Sequence, residues 1–228
     1  MRAEAADTYT ANKVWYVTID RSVNLPFGSL INSASRVGNG FEIRNCIAGP
    51  NRSRGILVKS SNGIITNNTC INNWGNGIKC SPEYEWFEGP SGSNVEISNN
   101  TITGCRDQSI SILAIGGNGN NAPAGAHDNI RIFNNVISGA LAFPAFELGS
   151  ISNLCFYSNT YNIGNSQVSV TNVTFPTVTS IAVAPTNTAL TVTQTTQLTA
   201  TVLPSSICNR SVKWTSDKPL VAKVDSLT

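Results

Sequence analysis

The stretch VEISNNT (residues 95–101) decides the fold, because four other segments of the chain repeat its pattern. Each segment has an apolar residue, any residue, an apolar residue, any residue, and then two asparagines or a close variant. The five segments are FEIRNC (41–46), GIITNN (63–68), VEISNN (95–100), IRIFNN (130–135) and LCFYSN (154–159). Such internal repetition is typical of a solenoid, in which each repeat forms one coil.

The spacing and the alternation together predict a right-handed parallel β-helix. The fifth positions of the five segments lie 22, 32, 35 and 24 residues apart. A period near 22 residues suits one coil, and alternation points every second side chain inward. The predicted inward stack consists of Ile43, Ile65, Ile97, Ile132 and Phe156. We expect the asparagines to form bends with left-handed backbone, and their amides to bond one coil to the next.

Further strands complete the predicted coils. They read RGILVKSS (54–61), NGIKCS (76–81), SISILAI (109–115) and PAFEL (144–148). Together with a short strand after each asparagine bend, they give three strands per coil. We expect WYVTID (15–20) and FGSLIN (27–32) to add one irregular coil. The fold class predicted for residues 1–163 is therefore all-β, a pectin-lyase-like solenoid, with further N-terminal coils expected ahead of it and a linker over 164–177.

The composition changes to Thr- and Val-rich segments over residues 178–228. The matching pieces are SIAV (180–183), QLTATV (197–202), VKWTS (212–216) and VAKVD (221–225). On these pieces, residues 178–228 resemble the bacterial group 2 Ig-like domain. The resemblance implies a β-sandwich with Trp214 as its buried core aromatic. The family continues with two more strands, so the sandwich is expected to be partial, with an unpaired sheet edge.

Composition limits the classes of partner. Charged residues make up 12% of the chain, against about 25% in an average domain. The net charge of +2 comes without a basic run, so nucleic acid is not a predicted partner. No apolar stretch approaches the ~20 residues of a membrane span. A surface of hydroxyls and amides is typical of secreted β proteins and of proteins that bind an oligo- or polysaccharide. With the Ig-like resemblance, it leads us to expect an extracellular or cell-surface protein of bacterial or phage origin, with its signal peptide outside this sequence.

The six cysteines show neither a CxxC motif nor zinc-ligand spacing. We therefore predict no metal site and no cofactor. The main expectation is small buried thiols stacked inside the solenoid. Disulfides between neighbouring coils are the alternative.

Two of the repeats carry insertions of about ten residues at the same predicted corner of adjacent coils. We call residues 81–94 (SPEYEWFEGPSGSN) the first insertion and residues 116–129 (GGNGNNAPAGAHDN) the second insertion. Because they extend from neighbouring coils, we expect them to stand side by side as a wall. Loops on a rigid scaffold are where functional sites concentrate.

The first insertion combines three carboxylates, Glu83, Glu85 and Glu88, with aromatic residues. Glycoside hydrolysis uses one carboxylic acid to protonate the leaving oxygen and a second carboxylate to activate water or attack the sugar. We predict Glu83 and either Glu85 or Glu88 as this pair, with Trp86 as a platform for a sugar ring. The alternative is that the glutamates are solvated and the aromatic residues only anchor the loop.

Other polar residues are candidates for substrate binding. The second insertion contributes His127, which is expected to be a surface residue, and Asp128. Arg52 and Arg54 lie just before a predicted outward row that includes Lys59, Lys79 and Glu147. Arg52 and Arg54 are therefore candidates, with Lys79, for binding an acidic or hydroxyl-rich ligand, and pairing between coils is an equal alternative. Glu96 and Arg131 fall at matching outward positions of adjacent coils and are expected to form an ion pair.

A resemblance sharpens the functional prediction. The order NRSRGILV (51–58), the coil through Asn67-Asn68, WFEG (86–89) and NVEISNNT (94–101) resembles the C-terminal coils of glycoside hydrolase family 110. These enzymes are inverting α-galactosidases built on a parallel β-helix. The resemblance covers residues 23–105. The family pattern has an acidic residue or pair directly after the strand GIKC (77–80), where this chain has Ser81, Pro82 and Glu83, so only Glu83 stands near that place.

Three functions are therefore open. The first is an inverting glycoside hydrolase, which requires its two carboxyl groups ~6.5–9.5 Å apart. The second is a non-catalytic glycan-binding or adhesin-type protein, with the Ig-like module as a spacer or a wall-associating unit. The third is a calcium-dependent polysaccharide lyase, which would need several clustered acidic ligands.

Overall fold

The computed structural model describes residues 2–7, 13–18, 20–24, 37–86, 88–117, 119–139, 143–162, 168–205 and 207–225. Within these ranges the chain is all-β apart from one 3-10 turn, Tyr84–Trp86. The strands are β1 (Arg2–Asp7), β2 (Lys13–Thr18), β3 (Asn39–Arg44), β4 (Ile47–Ala48), β5 (Ile56–Val58), β6 (Ser61–Thr66), β7 (Thr69–Ile71), β8 (Ile78–Cys80), β9 (Ser93–Ser98), β10 (Thr101–Thr103), β11 (Ile110–Ile112), β12 (His127–Phe133), β13 (Val136–Ser138), β14 (Phe146–Ser152), β15 (Cys155–Tyr157), β16 (Thr160–Asn162), β17 (Val168–Val173), β18 (Ser180–Ala184) and β19 (Thr199–Leu203).

Strands β3 to β17 form a parallel solenoid with three faces, so the predicted all-β solenoid is confirmed. The first face contains β5, β8, β11 and β17 together with the start of β14. The second face contains β3, β6, β9, β12 and β15. The third contains β4, β7, β10, β13 and β16. The first two faces are continuous because β14 bends around their common corner, pairing with β11 at its start and with β12 at its end.

The predicted inward stack is confirmed residue by residue. The register pairs Ile43 with Ile65, Ile65 with Ile97, Ile97 with Ile132, and Ile132 with Phe156. The three central isoleucines are 0% exposed. Both outer members are partly buried and pack against the same core. Period-two alternation therefore places the apolar side chains of every coil into one continuous interior.

The predicted asparagine bend is also present. Asn68, Asn100, Asn135 and Asn159 form a row in which each Nδ2 donates to the Oδ1 of the next, at 2.9 to 3.0 Å. The residue before each of them has a positive φ, between 52° and 56°. The side-chain oxygen also accepts a backbone N–H from the preceding coil, for example Asn68 N to Asn100 Oδ1 at 3.0 Å. We call this row the buried asparagine ladder.

A second row of asparagines lies at the opposite end of the second face, and the repeat pattern alone did not predict it. Asn94 donates to Asn62 at 2.7 Å, and Asn129 donates to Asn94 at 2.8 Å. Asn62, Asn94, Asn129 and Asn153 all have φ between 50° and 56°. The available signal was an asparagine directly before the first inward residue of four of the repeats. Asn is suited to this place because it tolerates left-handed backbone.

The N-terminal prediction is wrong within the described residues. β1 and β2 pair antiparallel as a hairpin, with Arg2 opposite Thr18 and Asp7 opposite Lys13. They therefore add no parallel coil, and the predicted strand FGSLIN (27–32) lies outside the described residues. A hairpin forms here because only five residues separate the two strands, far fewer than a parallel crossover needs.

The C-terminal module contains one antiparallel pair, β18 and β19, at two of the four places predicted from sequence. In the described residues 207–225 no strand forms over 212–216 or 221–225. Trp214 is partly buried between the exposed residues Lys213 and Thr215. Without facing strands on both sides, the alternating residues around it have no second sheet to pack against.

Candidate functional site

Both insertions lie where the first face turns into the second, on adjacent coils, as the sequence predicts. The first insertion connects β8 to β9, and the second connects β11 to β12. Their bases touch, since the Asp128 N–H donates to the Gly92 carbonyl at 3.3 Å. Beyond this contact, the first insertion is held by ion pairs with the preceding coil, and the second by hydrogen bonds from the following coils. The common wall that the sequence predicts stays a prediction.

Ion pairs attach the first insertion to the first face of the solenoid. Glu83 has a positive φ of 47° and its side chain is 5% exposed. Its Oε1 contacts Arg54 Nη2 and lies 3.4 Å from Lys79 Nζ. Its Oε2 accepts a hydrogen bond from Lys59 Nζ at 2.5 Å. Three cations from the outer side of the first face thus surround one carboxylate, and we call this group the Glu83 cluster.

The cluster keeps Glu83 ionised. Burial opposes the charged form of the carboxyl group. The hydrogen bond from Lys59 and the charges of Lys79, Arg54 and Lys59 outweigh burial, so the pKa of Glu83 lies below its usual value. A general acid at neutral pH needs a raised pKa instead. The arrangement therefore suits Glu83 to holding the insertion in place better than to donating a proton.

Glu88 joins the same group through Lys59. Lys59 Nζ donates to Glu88 Oε2 at 2.5 Å, so one ammonium group bridges two carboxylates. Since each oxygen lies 2.5 Å from that nitrogen, the two oxygens are no more than about 5 Å apart. Gly89 allows the close approach, because a Cβ there would lie 2.7 Å from Lys59 Cβ.

Lys59 is the central residue that the sequence-based list of site residues omits. It follows Val58 at an outward position of the first face, two residues beyond the row that contains Lys79. Its side chain is only 14% exposed, because Glu83 and Glu88 both lie against it. A lysine two residues after a strand is a weak signal by itself. Its role depends on a loop that lies 24 residues further along the chain.

Trp86 is presented at the surface of this insertion. Its ring is 58% exposed, and its backbone N–H donates to the Glu83 carbonyl at 2.9 Å. Tyr84 and Ser91 share a hydrogen bond of 2.6 Å that closes the base of the loop. Glu85 lies in the 3-10 turn, but its side chain is outside the described part of the structure, as is Phe87. The Glu83 cluster and Trp86 are thus held together by a single short turn.

His127 lies in the interior, so the expectation of a surface residue is wrong. The side chain is 0% exposed. Its Nδ1 accepts the Gly92 N–H at 3.1 Å, which joins the end of the first insertion to the next coil. Burial disfavours the charged form of the imidazole and lowers the pKa of His127 to about 4. A neutral, enclosed imidazole is in no position to contact a substrate.

Asp128 is held by its neighbours rather than directed toward a ligand. Its Oδ1 accepts hydrogen bonds from Ser152 Oγ at 2.5 Å and from Asn153 Nδ2 at 2.8 Å. The hydrogen bond from Ser152 is the main cause that lowers the pKa of Asp128. The second insertion is also held by the following coils, since Ser150 and Asn172 donate to the Ala122 carbonyl at 2.7 and 3.0 Å.

The outward rows behave as the repeat predicts. Arg131 and Glu96 are register partners, and Arg131 Nε lies 3.8 Å from Glu96 Oε2, which confirms the expected ion pair. On the first face, Lys79 and Glu147 flank Ser111, whose hydroxyl donates to Glu147 at 2.7 Å. The predicted binding residues Arg54 and Lys79 both lie in the Glu83 cluster. The structure therefore brings together Arg54, Lys79, Glu83 and Glu88 and separates them from His127 and Asp128.

The cysteines only partly follow the prediction of buried thiols. Cys70, Cys80 and Cys105 are buried in the solenoid core, and burial raises the pKa of Cys70 and of Cys80 to about 12. Cys46 is exposed. Cys155 forms a disulfide with Cys208, so the bridge joins the last coils to the C-terminal module instead of joining neighbouring coils. Register alone could not indicate this pair, because Cys208 lies outside the repeats.

Within the described residues, no group of three or more His, Cys, Asp or Glu side chains is arranged to hold a metal ion. No helix found there has the length and apolar character to cross a membrane.

Comparison with known protein families matches residues 177–228 to the bacterial Ig-like domain (group 2). Searches of curated proteins and of solved structures each found no match. The family match covers the C-terminal module and leaves the solenoid, with the Glu83 cluster, to be interpreted from its own geometry. Domains of this family occur in bacterial surface proteins, and residues 177–228 are the part of the chain that is similar to them.

Proposed function

We propose that this protein is an exported, non-catalytic glycan-binding protein of the adhesin type, which binds neutral saccharides at the first insertion. The observation that supports this proposal is the Glu83 cluster with Trp86 beside it. Three cations and two carboxylates lie against a rigid solenoid face, and an exposed indole is held on the same turn.

The chemistry fits a saccharide. An indole offers a flat apolar face for the C–H groups of a pyranose, and fixed charged groups hydrogen-bond pairs of hydroxyls. The cluster brings Arg54, Lys59 and Lys79 together with Glu83 and Glu88, so its charges nearly cancel and favour a neutral, hydroxyl-rich ligand. Because ion pairs already fix the loop, little conformational entropy is lost on binding.

Export is supported by the disulfide. Bridges such as Cys155–Cys208 form and persist in oxidising compartments. The Ig-like module is consistent with attachment at a bacterial cell surface, either as a spacer or by association with the wall. The same module would also be consistent with a protein on the surface of a phage particle.

A hydrolase acting at the same place is the alternative. It draws on the resemblance to glycoside hydrolase family 110 and on Glu88, whose side chain is 51% exposed beside the ionised Glu83. The binding hypothesis is favoured because Glu83 lacks the raised pKa that an acid catalyst requires.

The test measures binding and hydrolysis on the same samples of the full chain. A panel of neutral oligosaccharides, including α-galactosyl-terminated glycans, is assayed for binding and for released sugar. We expect Trp86→Ala to weaken binding at least about tenfold, given the contribution of a stacked aromatic residue at a binding site. Phe175→Ala is the matched control, because Phe175 is an equally exposed aromatic residue (59%) in the linker.

Two outcomes would overturn the binding proposal. One is equal binding by Trp86→Ala and the wild type. The other is release of sugar by the wild type that is abolished in Glu88→Gln, which would establish the hydrolase instead.

A further inference from the structure

A second exposed cluster lies at a different corner of the solenoid, between the third face and the first. It consists of Arg52, Trp74 and Arg106, one residue from each of three successive coils, and we call it the Arg-Trp-Arg row. A bridge between Asn51 and Asn73 places Arg52 beside Trp74 in register. The Arg106 N–H donates to the Asn73 carbonyl at 2.9 Å, which places Arg106 on the other side of Trp74.

The row is rigid in its backbone and open at its side chains. The N–H groups of Trp74 and Gly75 both donate to carbonyls of the preceding coil at 3.0 Å. The Trp74 ring is nevertheless 65% exposed, and both arginines are exposed. The Arg106 guanidinium lies 5.5 Å from the centre of the ring, in cation–π range.

The two arginines differ from the cations of the Glu83 cluster. Among the described residues, neither Arg52 nor Arg106 forms an ion pair with a carboxylate, and the neighbouring Asp107 pairs with neither of them. Arg54, only two residues from Arg52, is bound by Glu83. The free positive charge on this side of the solenoid is therefore concentrated around one exposed indole.

We propose that the Arg-Trp-Arg row binds an acidic polysaccharide whose chain runs along the solenoid axis. A guanidinium binds a carboxylate or a sulfate ester through two parallel hydrogen bonds, and the indole supports the apolar face of a sugar ring. Neighbouring coils are about 4.8 Å apart, so the two arginines are separated by about 9.5 Å along the axis. A polymer with an anionic group on successive sugars supplies two charges over that length, which a single monosaccharide does not.

This inference does not rest on the glycan-binding function proposed for the first insertion. The residues lie at another corner, and the ligand carries charge. The two proposals are tested with different probes and different variants, so either can fail alone.

The experiment measures binding of the full chain to three polymers, namely a polyuronate, dextran sulfate and uncharged dextran. We expect an acidic polymer to bind, its affinity to fall as salt is raised, and dextran not to bind. Arg52→Gln and Arg106→Gln should each weaken binding about tenfold, which is typical for loss of a hydrogen bond to a charged group. Trp74→Ala should weaken it as well, while Trp74→Phe should retain most of the affinity.

Lys213→Gln is the control, because it removes an exposed cation of the C-terminal module and should bind as the wild type does. Binding of the polyuronate assigns the anion as a carboxylate, and binding of dextran sulfate alone assigns it as a sulfate ester. The proposal is overturned if neither acidic polymer binds or if the arginine variants bind as well as the wild type. Tighter binding of a single-stranded oligonucleotide than of either polymer would also overturn it.

Discussion

At the scale of single residues, stability depends on side chains that form hydrogen bonds with the coils on both sides. Asn100 is 0% exposed, and its side-chain amide takes part in four hydrogen bonds at 2.9 to 3.0 Å, two as donor and two as acceptor. It accepts from Asn68 and donates to Asn135 and to the Ile65 carbonyl. The amide therefore replaces water for backbone groups that the bend removes from the strand pairing.

Asn100→Ala should lower the free energy of unfolding by about 3 kcal/mol or more, because buried polar groups of Asn68 and Ile65 lose their partners. Urea unfolding followed by circular dichroism measures the change. Asn99→Ala is the control at the adjacent exposed position. It should cost less, since its main penalty is the left-handed φ of 55°. Equal losses in the two variants would contradict the role assigned to the buried asparagine ladder.

His127 makes stability depend on pH. Its folded pKa of about 4 lies below the ordinary 6.5, so between these values the unfolded chain binds a proton that the folded chain does not. Stability should therefore fall as pH drops from about 6.5 to about 4, by roughly 3 kcal/mol. The loss is complete below the folded pKa.

The measurement is urea unfolding at pH 7 and at pH 4.5, for the wild type and for His127→Gln. The glutamine can still accept the Gly92 N–H but does not titrate. Carboxylates with lowered pKa, such as Glu83 and Asp128, contribute equally to both proteins, so the difference between the two pH profiles isolates His127. Parallel profiles would rule out this imidazole as the cause.

At the scale of elements, the two insertions show how contacts with neighbouring coils hold a loop in place. Both leave the same corner, but the first carries carboxylates that pair with cations of the preceding coil, and the second carries a carbonyl bonded by the following coils. Ion pairs therefore hold the first insertion, and backbone hydrogen bonds hold the second, to different coils. The consequence is that the Glu83 cluster is a feature of the first insertion alone.

Glu83→Gln should loosen the first insertion. The substitution removes the charge that compensates Arg54, Lys59 and Lys79, and leaves three cations against one remaining carboxylate, that of Glu88. We expect faster proteolytic cleavage within residues 81–94 and a loss of stability of about 2 kcal/mol or more. Glu96→Gln is the matched control, because its ion pair of 3.8 Å is partly exposed and should contribute under about 1 kcal/mol. Unchanged cleavage in Glu83→Gln would contradict the anchoring role.

At the scale of the whole molecule, the Cys155–Cys208 disulfide joins the solenoid to the Ig-like module across 53 residues of sequence. Cys155 is 0% exposed although it lies on an outward position of the second face, opposite Arg131. Ile207, next to the bridge, is also buried, at 6%. The covalent connection therefore makes the C-terminal module part of the structural unit that ends the solenoid.

Cys208→Ser should lower stability by about 4 kcal/mol, the magnitude expected when a loop of this length is no longer closed in the unfolded chain. Thermal unfolding without reductant measures the change, and wild-type protein with dithiothreitol should resemble the variant. Cys46→Ser is the control, since Cys46 is an exposed free thiol. A melting temperature unaffected by Cys208→Ser would show that the two parts are independent.

The sequence by itself determined the coil. Period-two alternation and the asparagine pairs identified the inward stack, the buried asparagine ladder and the corner that carries the insertions, because each depends on residues within one repeat. The tertiary structure alone decided which coils hold each insertion, the burial of His127, the role of Lys59 and the partner of Cys155. These depend on groups 24 to 53 residues apart, whose encounter is set by the stacking of coils and the docking of the last module. Local pattern therefore specifies the scaffold, and contact between coils specifies the site.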